Sequence, residues 1–409
     1  MPTTSTLPHT AQLSGYRFAE VSYQGSRTTV YRAIEEATQQ PVVIKVLSQD
    51  YPSFGELVQF RNQFVIAKNL PISGIIHPLS LESYGNGYAL VMEDFDGIDL
   101  GRYLQQHPLS PTEVLEIAIQ LANILHELHQ HRVIHKDIKP ANILIHPGSQ
   151  QVKLLDFSIA SLLPKETQDI QNPNVLEGTL SYLAPEQTGR MNRAIDYRTD
   201  FYALGVTLYE LLTGQLPFIS EDPLELLHCH IAQEPLQAHE LNSEVPPILA
   251  LLVQKLMAKN AEDRYQSALG LKHDLQVLQR QYAEQGSQTW FTLGEQDVSD
   301  RFTIPEKLYG REDEVSALLS AFNRVTAGGS ELMLVAGFSG IGKTAVVNEV
   351  HKPITRQRGY FIKGKFDQFN RNIPFSAFVQ AFRSLMAQLM SESDTVLADW
   401  KTRILAAVG

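Results

Sequence analysis

Apolar residues follow two different periods along the first part of the chain. Up to about residue 110 they form short β-branched and aromatic runs, such as 42–47 and 88–95, with turn residues between them, which is typical of strands. From Ser110 onward the spacing is helical, because Ser110, Pro111 and Glu113 form a helix start with an N-cap, a first-position proline and a capping-box glutamate. The apolar positions that continue this helix are Val114, Ile117, Leu121, Leu125 and Leu128. A strand-rich lobe followed by a helical lobe predicts a cleft between them, which is a common place for a ligand.

A break in the periodicity divides the chain into two domains. The segment 283–305 has no sustained pattern and contains glycines, so it predicts a linker. Its apolar residues could hold it against a neighbouring domain, and they are Trp290, Phe291, Phe302 and Ile304. Further on, the apolar run 331–336 predicts a buried strand that leads into a glycine-rich loop. We therefore predict a flexible tail at 1–15, a first domain at 16–282 and a second domain at 306–409.

The composition is that of a globular protein without a membrane span. At about 100 to 200 residues per domain, the 409 residues suit two or three domains, and the 19% charged and 43% hydrophobic residues fit neither a disordered chain nor a membrane bundle. No apolar run approaches the roughly 18 residues of a spanning helix. The polar segment 1–15 lacks the features of a secretion signal, so we expect a cytoplasmic protein. The single cysteine, Cys229, excludes an intrachain disulfide.

Acidic residues outnumber basic ones and give a formal net charge of −11 at pH 7. Nonspecific binding to nucleic acid depends on basic side chains that neutralise phosphates, so we expect no nucleic-acid partner. An acidic surface could favour basic protein substrates, although a solvated surface is the simpler explanation of the excess.

The most informative stretch lies at 133–145, with the sequence VIHKDIKPANILI, and is followed at 154–158 by LLDFS. Phosphoryl transfer requires a group that orients the attacking hydroxyl, oxygens that hold magnesium, and a cation on the phosphates. Asp137, Lys139 and Asn142 lie within one short loop, and Asp156 ends an apolar run where a strand would present it to the same cleft. The pattern indicates a phosphoryl-transfer site.

These motifs resemble those of the protein kinase family. The pattern HxDxKPxN is similar to the catalytic loop of serine/threonine kinases, residues 42–45 (VVIK) resemble the strand that carries a phosphate-contacting lysine, and 184–186 (APE) resemble the end of the activation segment. Asp200 and Arg264 fit later positions of the family. The resemblance implies an α+β bilobal protein kinase fold and transfer of the ATP γ-phosphate to a serine or threonine hydroxyl of a protein.

The resemblance also implies a role for each residue of the cleft. Asp137 would accept the proton of the substrate hydroxyl, and Lys139 would steady the γ-phosphate. Asn142 and Asp156 would hold Mg²⁺, and Lys45 would bind the α- and β-phosphates of ATP.

The segment 90–95 (LVMEDF) resembles the family's hinge between the two lobes. Backbone groups of Glu93 and Phe95 would then bind the adenine, and Asp99 would lie near the ribose. A buried ion pair between Glu186 and Arg264 is also implied, and its role would be structural.

The lid over the phosphates departs from the family pattern GxGxxGxV. The segment 23–30 keeps only the middle glycine, Gly25, and the terminal valine, Val30. Side chains at the other positions restrict the approach of the backbone to phosphates, so nucleotide affinity or lid mobility is expected to differ from the family norm.

Three further departures concern the cleft. Gln63 stands where a glutamate would pair with Lys45, and a hydrogen bond from Lys45 to a neutral amide lacks charge assistance. Ser158 replaces a glycine after the metal-binding aspartate, and Lys136 replaces an arginine in the catalytic loop. The glycine-poor lid and Gln63 motivate an alternative reading, a nucleotide-binding pseudokinase that acts as a regulatory scaffold without phosphotransfer. The intact aspartate and asparagine set favours catalysis.

The second domain carries its own phosphate-binding motif. Residues 337–344 (GFSGIGKT) fit GxxxxGK(S/T), in which the backbone around Gly337, Gly340 and Gly342 would cradle phosphates. Lys343 would contact the β- and γ-phosphates, and Thr344 would bind Mg²⁺.

The preceding residues 309–314 (YGREDE) resemble the opening of AAA/STAND-like P-loop ATPase domains in large bacterial signalling proteins. In those proteins a serine/threonine kinase precedes the ATPase, and sensor and histidine-kinase domains of a two-component system follow. The resemblance therefore implies a truncated ATPase domain here and such downstream domains as partners in a longer chain. A further reading makes the P-loop domain a nucleotide-dependent regulator of the kinase.

Overall fold

The computed structural model describes residues 13–162, 180–189, 193–285, 290–299, 310–338, 340–348, 359–366, 375–390 and 394–408. Most of the predicted tail and two of the linker residues named above, Phe302 and Ile304, lie outside these ranges. No helix in the ranges given is both long and apolar enough to cross a membrane.

A five-stranded antiparallel sheet forms the amino-terminal lobe. Its strands are β1 (Tyr16–Gln24), β2 (Thr28–Glu35), β3 (Pro41–Leu47), β4 (Pro78–Tyr84) and β5 (Gly87–Glu93), in the order β1-β2-β3-β5-β4. Alternate residues of β3 are buried, namely Val42, Ile44 and Val46, as the period of a strand requires. Lys45 therefore projects from the opposite face of β3, between Val30 of β2 and Leu90 of β5.

One helix, α1 (Phe54–Ala67), packs against this sheet. It begins with a capping box, in which the Ser53 side chain accepts from the backbone N–H of Glu56 and the Glu56 side chain accepts from that of Ser53. Such a cap satisfies two of the backbone donors that a helix start leaves unpaired. The helix buries Phe60, Gln63 and Ile66, so a polar residue lies on its inner face.

The helical lobe contains most of the largest core cluster among the described residues. Its elements are the small sheet β6 (Ile98–Asp99), β7 (Ile143–Ile145) and β8 (Val152–Leu154), and the helices α2 (Leu100–Gln106), α3 (Pro111–Gln130), α4 (Arg198–Thr213), α5 (Pro223–Ala232), α6 (Ala238–Leu241), α7 (Pro247–Leu256) and α8 (Ala268–Gln285). The five apolar positions predicted for α3 are all buried, and its predicted cap and capping box at Ser110 and Glu113 are present. The predicted bilobal α+β architecture is thus confirmed.

The predicted linker begins inside α8, which continues to Gln285, and the described segment 290–299 lies against the helical lobe. Phe291 packs on the core, whereas Trp290 is 66% exposed. The Asp297 carboxylate accepts from the backbone N–H groups of Gln266, at 2.6 Å, and Ser267, at 2.8 Å, just before α8 begins. The segment is therefore attached at a helix start and is more than a tether.

In the second domain the described helices are α9 (Glu312–Thr326), α10 (Lys343–Asn348), α11 (Ser376–Leu389) and α12 (Asp394–Val408). The buried strand predicted at 331–336 is wrong for this structure. Leu332 and Leu334 are 86% and 87% exposed, and the segment has no strand assignment. A strand is defined by a hydrogen-bonded neighbour, and no described segment of this domain pairs with residues 331–336.

Candidate active site

A cleft of about 870 Å³ lies between the two lobes. Side chains from β2, β3, α1 and the lid line its upper side, and the loop around Asp137 and the segment around Asp156 line its lower side. The predicted site residues that face this cleft are Gly25, Val30, Lys45, Gln63, Glu93, Phe95, Asp99, Asp137, Lys139, Asn142 and Asp156. The fold therefore brings together groups that are more than 100 residues apart in the sequence.

Hydrogen bonds from two neighbours fix the carboxylate of Asp137. The Lys139 ammonium donates to its two oxygens, at 3.0 and 2.8 Å, and the Asn142 amide donates to Oδ2 at 2.7 Å. The short turn Pro140–Asn142 returns the chain so that all three side chains face one point. A carboxylate held this way is a positioned acceptor for the proton of an incoming hydroxyl.

Asp200, at the start of α4, holds the loop that carries Asp137. It is fully buried, and its carboxylate accepts from the backbone N–H groups of His135, at 3.0 Å, and Lys136, at 2.8 Å, and contacts His129 Nε2 at 3.0 Å. Lys136 has a left-handed backbone with φ of 68°, which is uncommon for a residue other than glycine. The buried carboxylate therefore stabilises an unusual backbone conformation next to Asp137.

Lys45 connects β3 to both sides of the cleft. Its ammonium lies 3.1 Å from Gln63 Oε1 on α1 and 2.9 Å from Asp156 Oδ2 on the opposite lobe. Burial acts to raise the pKa of Asp156, but the charge of Lys45 and the hydrogen bonds from Lys45 and Ser158 outweigh it and lower this pKa to about 2. Asp156 is therefore a carboxylate at any physiological pH.

Oxygen atoms suited to a divalent cation lie near this ion pair. The Asn142 amide makes both of its side-chain hydrogen bonds through its nitrogen, so among the described residues its side-chain oxygen has no partner. The N–H of Leu155, next to Asp156, donates to the Asn142 backbone oxygen at 2.9 Å and joins the two segments. Carboxylate and amide oxygens are ligands that Mg²⁺ accepts, with phosphates and water completing its shell. Asn142 and Asp156 therefore fit a magnesium ion by their chemistry.

Comparison with protein families agrees with this geometry. Residues 20–276, more than half of the chain, match the model of the protein kinase domain. The chain belongs to the protein kinase family. Residues 307–409 match the model of an AAA ATPase domain, so the kinase is followed by a P-loop ATPase domain.

Relatives with curated names extend the comparison. The kinase is 33% identical over 273 residues to the serine/threonine-protein kinase PknB of Mycolicibacterium smegmatis, which covers 64% of this chain and 42% of that protein. It is 33% identical over 270 residues to the serine/threonine-protein kinase PrkC of Bacillus subtilis, at 65% and 41% coverage. A match to the hybrid signal transduction histidine kinase G of Dictyostelium discoideum, 33% identical over 382 residues, covers 72% of this chain and 11% of that protein. The chain spans less than half the length of each of these relatives.

The hinge of the kinase is held by side chains as well as by its backbone. The backbone N–H of Glu93 donates to His77 O at 3.1 Å, and the adenine contacts expected of Glu93 and Phe95 stay predictions. Its carboxylate lies 2.6 Å from Lys153 Nζ on β8, and this ammonium also lies 5.2 Å from the centre of the Phe95 ring. Asp99 acts as the N-cap of α2 and pairs with Arg102 at 3.1 Å, so its carboxylate is already engaged beside the predicted ribose position.

The one remaining glycine of the lid of the kinase lies under the side chain of Tyr23. The backbone N–H of Gly25 donates to Thr28 O at 2.9 Å and closes the turn between β1 and β2. A Cβ atom at Gly25 would lie 2.6 Å from the hydroxyl oxygen of Tyr23, which is closer than real contacts allow. Tyr23 therefore occupies space over the turn, in line with the expected departure from a glycine-rich lid.

The implied structural ion pair of the kinase is present. Arg264 donates to both oxygens of Glu186, at 2.7 and 2.8 Å, and Thr199 adds a third hydrogen bond to that carboxylate at 2.8 Å. Burial acts to raise the pKa of Glu186, but the charge of Arg264 and these hydrogen bonds keep it below its usual range. The pair joins the end of the activation segment to the rest of the helical lobe.

The P-loop of the second domain has part of the predicted geometry. α10 begins at Lys343, whose ammonium lies 2.9 Å from Gly337 O and 2.7 Å from Phe338 O, and Thr344 follows in the first turn. Gly340 and Gly342 both have positive φ angles, 82° and 94°, which favour glycine. The phosphate-binding roles in this loop stay predictions.

Several residues of the site were not identified from the sequence. Asn62 on α1 contacts the segment after Asp156, Lys153 pairs with the hinge, and His129 contacts Asp200. None of them lies in a motif with a recognisable spacing. The only signal was indirect, because Asn62 directly precedes Gln63, the residue predicted to contact Lys45.

Proposed function

We propose that this chain is a serine/threonine protein kinase that transfers the γ-phosphate of ATP to a hydroxyl group of a protein substrate. One observation carries the proposal: the Asp137 carboxylate, fixed by Lys139 and Asn142, shares a cleft with the ion pair of Lys45 and Asp156. The named serine/threonine kinases among the relatives support the same activity.

Each residue of the cleft has a task in this reaction. Asp137 accepts the proton as the substrate hydroxyl attacks the γ-phosphorus, and the bond to the β,γ-bridging oxygen breaks. Lys139 balances charge on the transferred group, and Lys45 orients the α- and β-phosphates. The residues do no covalent chemistry, so the contribution of the protein is positioning and electrostatic stabilisation.

Magnesium is the cofactor that the donor set suits. Asn142 and Asp156 would hold it, and when bound it neutralises charge on the phosphate oxygens. No group of three His, Cys, Asp or Glu side chains within the described ranges forms a complete metal cage. This agrees with an ion that is bound partly through the phosphates of its nucleotide.

A transfer assay tests the proposed activity. Purified protein with labelled ATP, Mg²⁺ and a generic basic protein should place label on serine or threonine. Asp137→Ala should abolish the transfer, and the exposed neighbour variant Arg132→Ala should retain it. Nucleotide binding by the wild-type protein without any label transfer would refute the proposal and support the pseudokinase scaffold.

In a longer signalling protein of the two-component type, sensor and histidine-kinase domains would be the partners of this chain, as the name of one relative suggests. We also propose a cytoplasmic location, which cell fractionation tests.

The second domain is proposed to be an ATP-binding switch that acts on the kinase. Lys343→Ala should weaken nucleotide binding at the P-loop. If the P-loop domain is a switch, this loss should change the label transfer that the kinase domain of the full chain performs. Equal transfer by wild type and variant would remove the switch.

A further inference from the structure

The side chain of Asn62 joins α1 to the start of the activation segment. Its amide nitrogen lies 3.1 Å from the carbonyl oxygen of Ser158 and 3.0 Å from that of Ala160. An amide nitrogen has two hydrogens, so both bonds form at once. Asn62 is half-buried on the inner side of α1, directly before Gln63.

The segment that Asn62 holds has a strained backbone next to the predicted metal ligand. Asp156 has a φ of 68°, in the left-handed region that costs most residues about 1 kcal/mol or more. The residue two positions later is Ser158, where the family pattern has a glycine. Asp156 stabilises this conformation locally, because its Oδ1 accepts from the Ser158 N–H at 3.3 Å, and neighbouring elements add further contacts.

Support comes from both sides of Asp156. Upstream, the buried His135 ring donates through Nε2 to Leu155 O at 3.1 Å and accepts through Nδ1 from the Asp137 N–H at 3.3 Å. Downstream, Ile134 and Ser161 exchange two backbone hydrogen bonds, at 2.9 and 3.0 Å. The carbonyl groups at 158 and 160 lie between these two fixed points, and Asn62 supplies donors to both.

Asn62 also complements the weak contact between Lys45 and α1. Lys45 contacts α1 through the neutral amide of Gln63, at 3.1 Å, and lies 5.8 Å from the centre of the Phe60 ring, whereas it pairs with Asp156 through full charges, at 2.9 Å. A neutral acceptor gives about half the strength of a charged one. Two adjacent amides of α1 thus make polar links towards Asp156, Gln63 through Lys45 and Asn62 through the activation segment.

We propose that Asn62 is a positioning residue for the magnesium ligand Asp156, and that it couples the orientation of α1 to metal binding by holding the carbonyl groups of Ser158 and Ala160. The inference rests on the proposed kinase activity. It predicts that loss of the Asn62 donors weakens the response to Mg²⁺ and leaves the adenine side of the cleft unchanged.

Asn62→Ala and Asn62→Asp in the full chain test the inference, with Arg61→Ala as the control on the exposed face of α1. Alanine favours a helix more than asparagine does, so α1 is expected to form. Aspartate keeps the shape of the side chain but offers no donor, so it serves as well where the alanine variant is insoluble. Label transfer is measured against free Mg²⁺ at saturating ATP, and the amide exchange of residues 156–161 is measured with ADP in the presence and absence of Mg²⁺.

Both Asn62 variants should need at least fivefold more free Mg²⁺ for half-maximal transfer, with the KM for ATP at saturating Mg²⁺ changing less than twofold. Amide exchange at 156–161 should be at least fivefold faster, with α3 unchanged, and the Arg61 variant should match wild type. Wild-type exchange and Mg²⁺ dependence in the Asn62 variants would overturn the inference. A second outcome would also overturn the inference. In it, amide exchange is faster in the Asn62 variants, but Mg²⁺ still slows exchange as much as in wild type and the Mg²⁺ requirement for transfer is unchanged. Asn62 would then have only a structural role. The exchange measurement stays decisive even for a chain that transfers no phosphate.

Discussion

The side-chain oxygen of Gln63 lies 3.1 Å from the ammonium nitrogen of Lys45, where the kinase family has a charged pair. Gln63 is buried, and its amide nitrogen faces the Met92 sulfur at 3.9 Å, so the amide is held in one orientation. The contact agrees with the prediction that Gln63 stands at the position of the family's glutamate. It also gives a direct test of how much this neutral hydrogen bond contributes.

Gln63→Ala should lower kcat/KM for phosphate transfer by about 3- to 10-fold, because a neutral hydrogen bond contributes about 0.5–1.5 kcal/mol. Lys45→Ala should cost at least about 100-fold, since it removes the cation from both Gln63 and Asp156. Steady-state kinetics with varied ATP measure both effects, and Val65→Ala on the exposed face of α1 is the control. Unchanged kinetics for Gln63→Ala would show that α1 positions Lys45 by other means.

Because of Lys259, the free energy of unfolding of the helical lobe should depend on pH in the alkaline range. Its ammonium lies 4.7 Å from the centre of the Phe218 ring and 3.3 Å from Cys229 O, and burial lowers its pKa from 10.5 to about 8. Between these two values the unfolded chain binds more protons than the folded one, so the free energy of unfolding rises with pH across this window. Between pH 8 and pH 10.5, the free energy of unfolding of the wild type should rise by about 2 to 3 kcal/mol relative to that of Lys259→Met.

Denaturant unfolding of both proteins at several pH values measures the difference between their free energies of unfolding. The contributions of the other titrating groups cancel in this difference. Lys68→Met, at the exposed end of α1, should follow the wild type at every pH. Parallel curves for wild type and Lys259→Met would contradict the lowered pKa.

Arg264→Ala should strongly destabilise the kinase domain. The substitution leaves the carboxylate of Glu186 buried without its cation, at a cost of about 3–5 kcal/mol. Chemical denaturation followed by circular dichroism gives the free energy of unfolding. Arg280→Ala, which removes an exposed arginine of α8, should change it by less than about 0.5 kcal/mol. A loss below 1 kcal/mol for Arg264→Ala would mean that the pair is dispensable.

Asp297 should stabilise the kinase although it lies beyond α8. Its side chain accepts from the N–H groups of Gln266 and Ser267, in the manner of a helix cap, so Asp297→Ala should cost about 1–2 kcal/mol. Thermal unfolding should show a lower midpoint for this variant than for Glu295→Ala, whose side chain is exposed. Identical midpoints would contradict the capping role of Asp297.

The sequence by itself determined the order of the catalytic groups, the course of α3 and the two-domain arrangement. Ser110 and Glu113 act on backbone groups within one turn, and the motif around Asp137 brings Lys139 and Asn142 together within six residues. Such local patterns can be interpreted without coordinates, because short-range geometry fixes which groups meet.

Only the tertiary structure decided the contacts between distant segments. Asn62 meets Ser158 and Ala160, and Glu93 meets Lys153, across more than 50 residues, with no spacing that could predict either contact. The apolar run at 331–336 shows the same limit, because a strand depends on a partner that its own sequence does not specify. Long-range side-chain contacts depend on how packed elements orient each other, and that orientation follows from the whole core.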